Sequence, residues 1–234
     1  MNSHSRFALI LAPLLLVACS KKEVTAPAAV VVPVAVPAAA PVPTPVATPA
    51  PAAVDPVNMT DEQKALAKKQ KALDFGTMED KYLNDPLAQW ATSATASSSA
   101  SDSTSHEPYE SRLPKWMTGP VDGKYWQNKS RDIGFEWVQL GYDKPVNATE
   151  VRLVIDGGSG VEALNKIELQ DTEGKWNTVW SGISDAKRDE RGARTWFVKT
   201  FPKTAYKVKA VKYTVANNVS IGDKDFDAAQ LIGE

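Results

Sequence analysis

Between Leu113 and Gly134 stand the residues whose types suit recognition chemistry: Trp116, Tyr125, Trp126, Asn128, Lys129, Arg131 and Asp132. Tryptophan and tyrosine rings offer flat apolar area at low entropy cost, and amide, guanidinium and carboxylate groups supply donors and acceptors around it. Such a set fits a polyol or a protein surface. The segment LPKWMTGPVDGKYWQNKSRDIG is punctuated by proline and glycine, so it reads as a long loop. The same rings would equally serve to cap a core beneath that loop, and both readings stand. A second aromatic set, Trp176, Trp180 and Trp196, falls on predicted strands and reads as packing.

Residues for covalent or metal-assisted catalysis are scarce. Cys19 is the sole cysteine, which excludes an internal disulfide and a multi-cysteine metal site, and only His4 and His106 offer imidazole. There is neither an HExxH pattern nor a serine in a nucleophile elbow, so no catalytic residue is assigned and an enzyme is not expected. The GGSG at Gly157–Gly160 lacks the Lys-Ser/Thr of a phosphate loop and reads as a strand-joining turn. Acidic clusters at Asp185, Asp189 and Glu190, and at Asp223, Asp225 and Asp227, have the oxygen chemistry for calcium, or else are solvated or ion-paired. A formal net charge of -1 argues against a nucleic-acid partner.

The elements that must position these groups begin only after a long leader. MNSHSRFALILAPLLLVACS places Arg6 before an apolar run from Phe7 to Val17. At about eleven residues that run is too short to span a bilayer and fits a signal-peptide core. Leu16-Val17-Ala18-Cys19 resembles the bacterial lipobox. The resemblance implies cleavage after residue 18, diacylation of Cys19, and stable anchoring, since more than one acyl chain is present. Ser20, where an Asp would favour inner-membrane retention in that family, implies the outer membrane, with the periplasmic or surface face left open. Residues 19–58 are then a tether of Ala, Val and Pro biased to polyproline II, with a reach of roughly 100 Å.

Residues 59–84 hold a short helical segment. Thr60-Asp61-Glu62-Gln63 has the form of a capping box, which predicts a helix from Thr60 to about Asp74 ending near Gly76, with Lys64, Lys68, Lys69 and Lys71 on a solvated face. From residue 85 onward the pattern changes to period two. Val138, Leu140 and Tyr142, then Val151, Leu153 and Ile155, then Ile167 and Leu169 alternate with their neighbours, separated by DKPVNAT and DGGSG. The Ser/Thr/Ala run after Trp90 reads as a small-residue strand, because Ala94 and Ala96 alternate with Ser93, Thr95 and Ser97. Lys207, Lys209 and Lys212 along YKVKAVKYTVA read as an edge-protecting device.

QWATSATASSSASD, WVQLGYDKPVNATEV, KIELQDTEGKWNTVWSG, AVKYTVANN and FDAAQLIGE occur in that order over residues 85–234. The series resembles the discoidin-like, galactose-binding-like domains, which include coagulation-factor C-type domains and bacterial carbohydrate-binding modules. The resemblance implies an all-β, jelly-roll β-sandwich that binds without catalysis through loops at one end. It implies a glycan ligand, or an envelope protein bound by the same loops. Many such domains carry a structural calcium near the first loop and the last strand. Here the last strand reads DAAQL without the expected Glu, so no cofactor is assigned.

Overall fold

The computed structural model describes residues 59–100, 112–129 and 133–234, all within one compact unit, Ala53–Glu234. In chain order the elements are α1 (Asp61–Leu83), β1 (Ala88–Trp90), β2 (Ser93–Ala96), β3 (Trp126–Gln127), β4 (Phe135–Asp156), β5 (Leu164–Asp171), β6 (Trp176–Ser181), β7 (Arg194–Thr200), β8 (Lys207–Ala216) and β9 (Asp225–Gly233). Every strand pairing among them is antiparallel.

The fold turns on β4. Its first half lies between β2 and β8, with β5 and β6 beyond β8; its second half lies between β7 and β9, with β1 and β3 along the far side of β9. One strand thus serves two layers. The alternation in the sequence places two separate strands here with DKPVNAT as the turn between them, and the structure corrects this. The chain stays extended throughout, and the register against β8 shifts between Gly141 and Val146. Pro145 falls inside that shift, where it donates no hydrogen bond and none is required. A bend at such an irregularity is how a strand passes from one sheet to the other at a sandwich corner.

Between the layers Val138, Leu140, Val151, Leu153, Ile167, Leu169, Val211, Tyr213, Phe226 and Leu231 form one continuous core. This is the all-β sandwich expected. The small-residue strand is also present over Ser93–Ala96, paired with β4. The lysines of β8 are placed differently from expectation, because β8 is a central strand hydrogen-bonded to both β4 and β5. Lys212 is held on the outer face by Glu168 at 3.2 Å and by the Trp176 ring at 4.2 Å, so its position follows from pairing across a sheet face rather than from edge protection.

The helix α1 runs on to Leu83, past the glycine expected to end it. The capping box is formed: Thr60 accepts from the Gln63 amide, and Gln63 accepts from that of Thr60. Gly76 is tolerated because the second half of α1 packs on the outer face of the β4–β7–β9 layer. Phe75 buries against Val154, Trp196 and Ala228, with Met78 and Tyr82 alongside. Tertiary burial there exceeds the loss of roughly 1 kcal/mol that a mid-helix glycine brings. The first half, including the lysine face, is exposed apart from the half-buried Ala67.

Candidate functional site

The loop singled out by its residue types divides into an interior part and a surface part. Trp126 lies in β3 opposite Phe226, fully enclosed, with ring centroids 5.5 Å apart and its Nε1 donating to the Ser98 carbonyl at 2.9 Å. Asn128 is buried as well. Its Nδ2 donates to Glu136 Oε2 at 2.8 Å, and its Oδ1 accepts from the Lys224 amide at 2.9 Å. Neither side chain can touch a ligand in this geometry, which corrects the expectation that they stand among the contact residues.

These interior groups hold the loops at one end of the sandwich. Glu136, at the start of β4, accepts from Asn128 and from Asn217, each at 2.8 Å, and also from the Ser98 hydroxyl. Lys224 is buried with its ammonium donating to the Ser220 and Gly222 carbonyls. Burial pulls the Lys224 ammonium below the ordinary lysine range, against the pull of Glu136 and Asp223. Three loops, after β2, before β4 and after β8, are therefore tied through polar groups that water does not reach. Fully satisfied networks of this kind rigidify the segments they join.

Trp116 and Tyr125 are the members that reach the surface, each half-buried. Pro114–Met117 forms a 3-10 turn opened by proline, and Met117 anchors it in the core. The Lys124 and Lys115 ammonium groups lie 4.2 Å and 5.0 Å from the centre of the Trp116 ring. The strand β9 fixes the adjoining turn: Asp227 accepts from the Asp122 amide at 3.3 Å and the Gly123 amide at 3.1 Å. Burial pushes the Asp227 carboxyl up to about 6, against those two amides. Lys129 is exposed, whereas Arg131, Asp132 and Cys19 lie outside the described residues.

A second surface is apolar. At the network-tied end, Ile133 is 86% exposed, Phe135 68%, Ile183 90%, Val219 57% and Ile221 88%. Phe135, Ile183 and Val219 line a cavity of about 210 Å³ with Ala163, Leu164 and Ala216. Each isoleucine abuts a glycine, and Val219 follows two asparagines. Large aliphatic residues embedded in turn chemistry are the signal that reveals this surface. Trp180 and Trp196 keep to the packing role: Trp180 meets Phe197 at 6.2 Å across the layers, and Trp196 lies under α1, whereas Trp176 is half-buried on the outer face against Lys212.

The acidic clusters are committed elsewhere. Asp189 pairs with Arg191, Asp225 accepts from Gln127, and Asp227 holds the backbone amides above. Among the described residues no group of three or more His, Cys, Asp or Glu is placed to hold a metal ion. Between the turn after α1 and the last strand, the Arg152 guanidinium is bonded to Asp85 and Gln230.

No protein-family model and no curated protein matches this chain. Solved structures similar to it include the Clostridium perfringens module CpGH89CBM32-5 in complex with GalNAc-beta-1,3-galactose, at 13% identity and TM-score 0.47, covering 60% of this chain and 94% of that one. The family 32 carbohydrate-binding module of C. perfringens NanJ in complex with galactose matches at 13% identity and TM-score 0.46, covering 62% of this chain and 98% of that one. A chitosan-binding module of a Paenibacillus chitosanase/glucanase matches at 15% identity and TM-score 0.43, covering 61% and 96%.

Proposed function

We propose that this chain is a carbohydrate-binding lipoprotein of the bacterial envelope, anchored through Cys19 and presenting its β-sandwich on the Pro/Ala tether. It binds and does not transform its ligand. The observation that carries the reading is the Trp116 ring, half-exposed on a proline-opened turn whose Met117 is locked in the core, with the Lys115 and Lys124 ammonium groups over it and half-buried Tyr125 following Lys124 in the chain. A ring held on an anchored turn loses little freedom on stacking against a pyranose, for which the lysine side chains over it swing aside, their ammonium groups then hydrogen-bonding hydroxyl or carboxylate oxygens.

Titration calorimetry against galactose, N-acetylgalactosamine, chitosan and uronate oligosaccharides tests the binding. Trp116→Ala and Tyr125→Ala should each weaken it about tenfold while leaving thermal stability unchanged. Trp126→Ala, by contrast, should lower stability first, because that ring is core. Absence of any saccharide binding at millimolar concentration, or binding indifferent to Trp116 and Tyr125, would refute the proposal. For the anchor, Cys19→Ser should abolish palmitate incorporation and move the protein to the soluble fraction.

The five exposed apolar side chains around Phe135 support a second reading, an envelope scaffold that binds a protein partner. Capture from envelope extracts that survives glycosidase treatment and is lost in Ile183→Asp separates it from the first.

A further inference from the structure

Arg152 is a charged residue on a strand whose neighbours are core, and it is only 5% exposed. Four segments of the chain converge on its guanidinium. Nη2 donates to Asp85 Oδ2 at 2.7 Å, in the turn between α1 and β1. Nε donates to Glu150 of the same strand, and Nη1 to Gln230 Oε1 of β9 at 3.1 Å. The Tyr82 ring, from the last turn of α1, lies 4.3 Å from the guanidinium carbon. Gln230 completes the set by donating its Nε2 to the Tyr82 carbonyl at 2.9 Å.

The donor set differs from that of a metal site. Calcium requires six to eight oxygens at roughly 2.3–2.6 Å. Here the oxygens of Asp85 and Gln230 lie at hydrogen-bond distances from nitrogen and are directed at N–H groups in the plane of a fork, the geometry that suits guanidinium. Position 230 discriminates further. Its side chain must accept from Arg152 at one atom and donate to the Tyr82 carbonyl at the other. A carboxamide does both, whereas a carboxylate would set an oxygen against the carbonyl oxygen. The Asp85 carboxyl is raised by burial, but Arg152 and the Leu87 amide outweigh that and hold it below the ordinary carboxylate value.

We propose that Arg152 is a built-in cation: its guanidinium, paired with Asp85 and Glu150 and matched by Gln230, does the work of a bound calcium ion, clamping the first loop and the end of α1 to the last strand. The domain is accordingly independent of calcium. The inference is separate from the identity of the ligand, because no residue of the cluster belongs to the Trp116 turn.

Thermal unfolding of the full chain with millimolar calcium and with EDTA tests it. The wild-type midpoint should move by less than about 1 °C in either, where a calcium site filled at a hundredfold excess over its Kd would shift it by about 5 °C or more. Arg152→Met takes from Asp85 and Glu150 the cation they share, with only Lys81 remaining near Asp85, and should lower the midpoint by about 10 °C. Calcium should then restore part of that loss in the variant while leaving the wild type unmoved. Gln230→Glu, a smaller change that keeps Arg152, should lower the midpoint without creating calcium dependence. A calcium-stabilised wild type would overturn the proposal. So would an Arg152→Met variant as stable as the wild type, or one indifferent to calcium.

Discussion

Two buried tyrosines and one buried aspartate show how far a single polar atom matters here. The hydroxyl groups of Tyr142 and Tyr213 are enclosed in the core without a hydrogen-bond partner, and burial raises both well above the ordinary phenol value. An enclosed hydroxyl with no partner costs about 1–3 kcal/mol, so Tyr142→Phe and Tyr213→Phe should be neutral or stabilising in urea denaturation, against the usual trend for core changes. Asp227 makes a pH prediction. Its folded-state value of about 6 exceeds the ordinary 3.8, so the folded protein holds a proton that the unfolded chain releases between those values. The Asp227 contribution is fully present below about pH 4, is lost as pH rises to about 6, and amounts to about 3 kcal/mol. Plotted against pH, the stability of wild type minus that of Asp227→Asn should therefore fall from about 4 to 6 and level off beyond. A flat difference would show that the two amide bonds, rather than burial, govern this carboxyl.

At the scale of elements, α1 behaves as two helices end to end. Its exposed first half has a capping box and little packing, so Thr60→Ala should speed amide exchange over residues 61–70 while leaving the global unfolding midpoint unchanged. Its second half is bound through Phe75. A Cβ built on Gly192 would sit 2.3 Å from that ring, so the glycine is what lets the helix approach the loop before β7. Phe75→Ala should cost about 3–4 kcal/mol. Gly192→Ala should destabilise the wild type yet be nearly silent in the Phe75→Ala background, a coupling that a double-mutant cycle reads directly. The capping box was legible from Thr60 and Gln63 alone, because its partners are three residues apart. The extent of the helix was not legible, because what carries it through Gly76 is contact with Val154, Trp196 and Ala228, far away in the chain.

At the largest scale, the described residues of the Ala53–Glu234 unit form a sandwich with a helix laid over one outer face, and the sequence carried these parts unequally. The period-two runs around Leu140, Leu153 and Leu169 specified strands with a buried face, since alternation is a local consequence of the pleat. Val154 broke that alternation, and only the packed α1 explains why both faces of β4 are buried there. Removing residues 59–84 should accordingly expose Val154, Trp196 and Ala228 and give a protein that aggregates or melts well below the intact chain, as light scattering and calorimetry will register. Residue types also singled out one loop, but Trp126 and Asn128 look no different in sequence from Trp116 and Tyr125. Which of them face inward depended on β3 pairing with β9, almost a hundred residues further along. The sequence by itself determined the period-two strands, the DGGSG turn and the capping box, all of which follow from neighbours a few positions apart. The tertiary structure alone decided that β4 is shared, that Arg152 ties the end of α1 to the last strand, and which rings are buried, because each depends on segments distant in the chain meeting in space.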